Sequence, residues 1–180
     1  ISGGAMTLLA TQTASGSASL SFTSGIDSTY DEYVFKFINI HPATGSNFTF
    51  QVDTGTNTSY NQTVTSTVFE AKHTENNSEA VLRYKADDDQ AQGSAFQKIA
   101  LGVGNDADSN CSGQLTIFNP SSTVFVKHFI ATTNNNKDND QSNNLPTAGY
   151  FNTTTALTRV QFKMASGNID SGVIKLYGIS

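Results

Sequence analysis

Three groups of aspartates are the residues of this chain best suited to bind a metal ion. They are Asp87, Asp88 and Asp89 in one run, Asp106 with Asp108, and Asp138 with Asp140. Calcium takes six to eight oxygen ligands, and carboxylates supply them readily. None of the groups has the glycine and terminal glutamate of an EF-hand loop, and aspartate is also a common turn former. The pattern therefore predicts solvated turns and no required cofactor, with calcium binding as the alternative.

Three tyrosines near predicted turns or strand ends, Tyr30, Tyr60 and Tyr150, could bind a carbohydrate. Aromatic rings stack on sugar rings, and such shallow sites leave no sequence signature. Tyrosines at the edge of a sheet are also common as ordinary packing with a solvated hydroxyl. Glycan binding through these residues is therefore an alternative that the sequence leaves open.

The residue types needed for catalysis are present but not arranged in a recognisable motif. Cys111 is the single cysteine, so neither an intrachain disulfide nor a cysteine-based zinc site can form. His41, His73 and His128 have no metal-ligand spacing, and no nucleophile elbow of the G-x-S-x-G type occurs. We therefore predict that the protein is not an enzyme.

The composition is poor in charge and rich in small polar residues. Only 14% of the residues are charged, against about 25% in an average domain. Ser, Thr and Asn make up about a third of the chain, and they favour strands and turns over helices. The net charge of -5, with 10 scattered basic residues, disfavours nucleic acid. The apolar runs are also much shorter than the roughly 20 residues that span a membrane.

Short segments with alternating apolar residues, separated by turn residues, predict an all-β fold. Phe48, Phe50 and Val52 alternate in one such segment, and Leu20 and Phe22 do so in another. We expect an antiparallel, jelly-roll-like β-sandwich with about ten strands. The predicted strands are residues 17–23, 32–41, 47–53, 65–71, 80–84, 97–103, 112–118, 123–132, 158–164 and 173–178.

Two polar segments, residues 87–93 and 133–144, are predicted to be long surface loops. The second contains almost no apolar residue, so we expect it to be solvated or to pack on a partner. Residues 1–5 look like the remnant of a tag or cloning linker, with Met6 as the native start. Residues 6–180 are expected to form a single β-sandwich domain.

Several segments together resemble a family of virion structural proteins of marine bacteriophages, of the cyanophage and pelagiphage type. The likeness covers nearly the whole chain from Met6. The segments are SFTSGIDSTY at 21–30, YVFKFINIHP at 33–42, FNPSS at 118–122, FVKHF at 125–129, AGYF at 148–151 and GNIDSGVIKLYGI at 167–179.

The resemblance implies a tail, fibre or capsid-surface protein that is assembled in the host cytoplasm and carried on the virion. It supplies no catalytic residue. The expected partners are other virion proteins and further copies of the same chain, with a trimer favoured. A glycan on the host surface is a further expected partner, and neither nucleic acid nor a membrane is expected. A free-standing, lectin-like carbohydrate-binding module is the alternative function.

Overall fold

Thirteen β-strands form the secondary structure of residues 6–179, the part of the chain that the computed structural model describes. No helix in this part is long and apolar enough to cross a membrane. The predicted tag remnant at residues 1–5 lies outside the described residues. The strands are β1 (Thr7–Ser17), β2 (Leu20–Phe22), β3 (Glu32–Pro42), β4 (Ser46–Thr54), β5 (Val64–Thr74), β6 (Ala80–Tyr84), β7 (Ala91–Gly93), β8 (Gln97–Val103), β9 (Cys111–Phe118), β10 (Lys127–Lys137), β11 (Gln141–Phe151), β12 (Leu157–Met164) and β13 (Ile169–Ile179).

The strands form a large sheet of nine strands and a small sheet of four. The large sheet has the order β1-β13-β3-β9-β10-β11-β5-β6, with β7 also paired to β5. The small sheet has the order β2-β12-β4-β8. All the pairings between these strands are antiparallel. The predicted antiparallel β-sandwich is therefore confirmed, whereas a jelly-roll strand order stays a prediction.

The core lies between the two sheets and is dominated by phenylalanine. Phe162 of β12 is at its centre, and its ring lies 5.2 Å from that of Phe35 across the sandwich. Such aromatic pairs add about 0.5–1.5 kcal/mol each to the effect of burying their area. The other rings within 6.2 Å of Phe162 are those of Phe22, Phe37, Phe48 and Phe50.

The segment at residues 133–144, predicted as a solvated loop, instead forms most of the β10–β11 hairpin. The strands extend to Lys137 and from Gln141, and only residues 138–140 form the turn. The prediction was wrong because asparagine alternates between the two faces: Asn134 is exposed, whereas Asn135 and Asn143 are buried. The other predicted loop, residues 87–93, is a turn whose last three residues form β7.

The buried polar residues of this hairpin cap the free edge of β8. Asn135 Nδ2 donates to the Leu101 carbonyl oxygen at 3.2 Å, and Asn143 Nδ2 donates to the same oxygen at 3.3 Å. Thr133 Oγ1 donates to the carbonyl oxygen of Ile99. An edge strand lacks a neighbour for half of its backbone groups, and buried carbonyls without partners are costly. Side chains of the large sheet therefore replace the missing strand beside β8.

Candidate interaction surface

Of the groups that could perform nucleophilic or acid–base chemistry, His41, Asp108 and Asp170 line one surface depression, whereas His73 lines others. Cys111 is buried in the core, and burial raises the pKa of its thiol to about 12. His41 Nδ1 lies 2.7 Å from the Ser109 carbonyl oxygen, while His73 Nε2 lies 2.9 Å from Asn77 Oδ1. Cys111 is therefore closed off from solvent, and each of these two histidines has one ring nitrogen within hydrogen-bond distance of a protein oxygen.

The first aspartate group is held by ion pairs and hydrogen bonds. Asp88 contacts Lys98 at 2.6 Å and Lys85 at 3.1 Å. Burial would raise the pKa of Asp88, but the hydrogen bonds and charges of the two lysines outweigh it and hold the pKa below its usual value. Asp89 accepts a hydrogen bond from the Tyr84 hydroxyl. A cation would therefore have to compete with these protein groups for both carboxylates.

The other two aspartate groups approach each other without forming a cluster. Asp138 Oδ1 accepts a hydrogen bond from the backbone of Asn105 at 3.1 Å, which places it beside the loop that carries Asp106 and Asp108. Asp140 lies in the hairpin turn with a positive φ of 54°. Within residues 6–179, no three or more His, Cys, Asp or Glu residues are grouped so as to hold a metal ion. Calcium binding at these loops stays a prediction.

The three tyrosines proposed for glycan binding have different environments. Tyr60 is buried, so its ring offers no face to a ligand. Tyr30 is half-buried and packs edge-on against Tyr33, with ring centroids 5.9 Å apart. Tyr150 lies directly opposite His128 on the β10–β11 pair, also with ring centroids 5.9 Å apart. Tyr150 is therefore the best placed of the three.

A groove runs across the outer face of the large sheet, the face turned away from the small sheet. It has a volume of about 450 Å³, and the rings of Tyr150 and Phe118 contribute to its walls. Its remaining lining contains no Asp, Glu, Lys or Arg. The other lining residues are Thr65, Ser66, Thr67, His128, Phe129, Ile130, Ala148 and Gly149.

Amide and hydroxyl groups surround one end of this groove. Thr65 Oγ1 accepts a hydrogen bond from Gln92 Nε2 at 2.6 Å. Gln92 Oε1 in turn accepts one from Asn152 Nδ2 at 2.7 Å. Thr65 is also the β5 partner of Tyr150, so this neutral polar network adjoins the aromatic wall. The groove thus combines apolar walls with a rim that can exchange hydrogen bonds.

Four large apolar side chains are exposed next to the groove, and we call them the outer-face patch. They are Phe69 (45% exposed), Leu82 (79%), Tyr84 (47%) and Ile130 (53%). Phe69 and Ile130 line the same depression of about 210 Å³ on β5, β10 and β11. Tyr84 and Leu82 continue the patch onto β6, opposite Phe69 and Ala71 respectively. The patch could not be predicted from the sequence, because strand periodicity does not say which sheet face remains uncovered.

The inner face beneath the patch carries a buried ionic network. Glu70 is buried, and its carboxylate contacts Arg83 at 2.7 Å and Lys137 at 3.0 Å. Burial would raise the pKa of Glu70, but hydrogen bonds and charges from Lys137 and Arg83 lower it overall. This network ties β5 to β6 and β10, and so it fixes the strands that present the patch.

No protein-family model and no curated protein matches the chain. Among solved structures, a Bacteroides ovatus protein of unknown function is similar over 56% of this chain and 44% of that chain. The sequence identity is 6% and the TM-score is 0.31. The chain therefore spans less than half the length of that structure, and a likeness this distant says nothing about function.

Proposed function

We propose that the chain is a non-enzymatic structural protein of a bacteriophage particle, of the tail, fibre or capsid-decoration type. In this proposal it assembles as a homo-oligomer, with a trimer favoured, and binds other virion proteins. The single observation that carries the proposal is the outer-face patch, which exposes four large apolar side chains on one sheet face.

The physical argument rests on the cost of leaving apolar area in water. Burying such area contributes roughly 25 cal/mol per Å². Contiguous apolar patches on a soluble protein commonly mark contacts with other proteins. The outer-face patch also contains Phe69 and Tyr84, and aromatic residues are enriched at the centres of interfaces. A partner that covers Phe69, Tyr84 and Ile130 would therefore gain most of its binding energy there.

The resemblance to marine phage proteins supports the virion as the location, and the chemistry of the chain is compatible with it. The chain has a single cysteine and hence no intrachain disulfide, so a reducing host cytoplasm would not hinder its folding. The chain is rich in hydroxyl and amide side chains, and only 14% of its residues are charged. Assembly contacts would therefore depend on apolar area and hydrogen bonds more than on ion pairs.

Immunogold labelling of purified phage particles tests the proposal directly. An antibody against the chain should label a defined part of particles of the phage that encodes it. If the chain is abundant in infected cells but absent from washed particles, the proposal is wrong. As a control for specificity, the antibody is first incubated with the purified chain, which should abolish the labelling.

Carbohydrate binding is the second candidate function, and the Tyr150–His128 groove favours it. An aromatic wall with a neutral amide rim matches the apolar faces and hydroxyl edges of a neutral sugar. A glycan array tests this candidate, with Tyr150→Ala as the loss-of-binding variant and Tyr177→Ala as the control. Absence of binding by the wild-type chain to any glycan would exclude it at this site.

A further inference from the structure

The edges of the two sheets differ in how they are protected from pairing with another strand. Exposed edges present unpaired N–H and C=O groups, and natural proteins usually protect them with short strands, charges, prolines or covering side chains. In the described part of the chain, the large sheet has one edge at β1 and the other at β6 and the short β7, which both pair with β5, whereas the small sheet has its edges at β2 and β8.

Three of these edges have such protection. Thr133, Asn135 and Asn143 cap β8, as described above. The edge of β2 is only three residues long, and the Ser21 carbonyl oxygen accepts a hydrogen bond from Gln12 Nε2 at 2.5 Å. Strand β6 has five residues, carries Arg83 and shares its side of β5 with β7.

The fourth edge, β1, lacks these features except near its end, where the Ser17 hydroxyl accepts a hydrogen bond from Ser15 N. It is eleven residues long, contains no charged residue and no proline, and pairs with β13. Its register with β13 runs without a break from Ala10 to Ser15. The one irregularity lies between Leu8 and Ala10, outside this regular segment.

The direction of the free backbone groups follows from one hydrogen bond. Ser15 N donates to Ser17 Oγ at 3.2 Å and is therefore directed away from β13. In an antiparallel strand the N–H and C=O of one residue point to the same side, and the side alternates along the chain. Thr11, Thr13 and Ser15 thus direct their backbone groups towards the open edge, and all three side chains are exposed.

We propose that β1 is a self-association edge at which a second copy of the chain adds its own β1, antiparallel, about a two-fold axis at Thr13. This register places Thr13 opposite Thr13 and Thr11 opposite Ser15, so backbone groups pair and hydroxyl side chains form the cross-strand pairs. Threonine and serine pairs stabilise neighbouring strands, and no like charges face each other. The β1 strand of a second copy is therefore a complementary partner. Pairing of the two β1 strands would join the large sheets of both copies into one continuous sheet.

This edge is separate from the outer-face patch, so the inference does not depend on the proposed function. The test is made in an Ile130→Lys background, in which the patch is disabled. Thr13→Lys would bring two lysines together at the axis and should weaken self-association about tenfold or more. Ser28→Lys, at an exposed loop position, is the matched control. Light scattering coupled to size exclusion, over a wide concentration range, measures the mass.

A second variant gives an answer even if Thr13→Lys fails to fold. Thr13→Cys should yield a disulfide-linked dimer on mild oxidation, because the two thiols would lie opposite each other, whereas Ser28→Cys should not. The native Cys111 is buried and does not interfere. A background chain that stays monomeric, a mass unchanged by Thr13→Lys, or equal cross-linking of the two cysteine variants would overturn the proposal.

Discussion

The Phe69 and Tyr84 rings lie edge to face on the outer side of the large sheet, with centroids 5.4 Å apart and planes at 83°. They are a directly opposed pair on β5 and β6, and each keeps nearly half of its surface exposed. The pairing of β5 with β6 therefore holds the two rings in place, and no other described residue covers them. A rigid, half-exposed aromatic pair loses little entropy on binding, which suits it to a protein contact.

Glu70→Gln should destabilise the fold by about 2 kcal/mol, because Lys137 and Arg83 lose their buried carboxylate partner. Glu79→Gln is the matched control, since Glu79 pairs with Lys72 nearer the surface and its loss should cost under about 1 kcal/mol. Urea unfolding of both variants measures the difference. Equal losses would contradict the importance assigned to the Glu70 network.

The stability of the protein should fall in acid because of Glu70 and Asp88. The pKa of each is lower in the folded protein than in the unfolded chain. Their contribution is therefore complete above the ordinary carboxyl pKa of about 4 and is lost as the pH falls through the lower folded value. Unfolding free energies measured as a function of pH should show a smaller acid loss in Glu70→Gln. An identical pH dependence in the variant and the wild type would contradict this prediction.

The two asparagines that share the Leu101 carbonyl should show coupled effects. Either Asn135→Ala or Asn143→Ala leaves one donor to that oxygen, so each should cost about 1 kcal/mol. The double variant leaves the buried carbonyl without either donor and should cost more than the sum of the single variants. Unfolding of the four chains in urea measures the coupling, with exposed Asn134→Ala as the control. Strict additivity would argue against a shared cap.

Cys111 should be inert in the folded protein. The thiolate is the reactive form, and burial together with a pKa of about 12 suppresses it. A thiol reagent such as DTNB should label Cys111 only after the chain is unfolded in guanidinium. Rapid labelling under native conditions would show that the core around β9 opens more readily than its burial indicates.

The sequence predicted those parts of the fold that depend on local alternation of apolar residues. Phe48, Phe50 and Val52 alternate in β4, and the strand forms where the pattern predicts it. The β10–β11 hairpin was missed because its inner residues, such as Asn135 and Asn143, are polar, and their burial depends on a carbonyl of the distant strand β8. A hydrogen bond to a carbonyl group that is distant in the chain leaves no pattern in the neighbouring sequence.

The candidate site was predicted less completely. Tyr150 was identified from its position near a turn, but its neighbour His128 and the groove between them depend on the strand register. The outer-face patch depends on which sheet face the small sheet leaves uncovered. From the sequence alone, Phe69 and Leu82 therefore cannot be distinguished from apolar strand residues that are buried.

The central claim, that the outer-face patch mediates assembly, is tested most directly by the solution masses of three chains. Light scattering coupled to size exclusion compares the wild type with Ile130→Lys and with Ile38→Lys. Ile38 is the matched control because it is 40% exposed on β3, away from the patch. We expect the wild type and Ile38→Lys to share one oligomeric mass, that of a trimer or of two trimers paired through β1, and Ile130→Lys to be no larger than the β1 dimer. The same mass for all three chains would contradict the account.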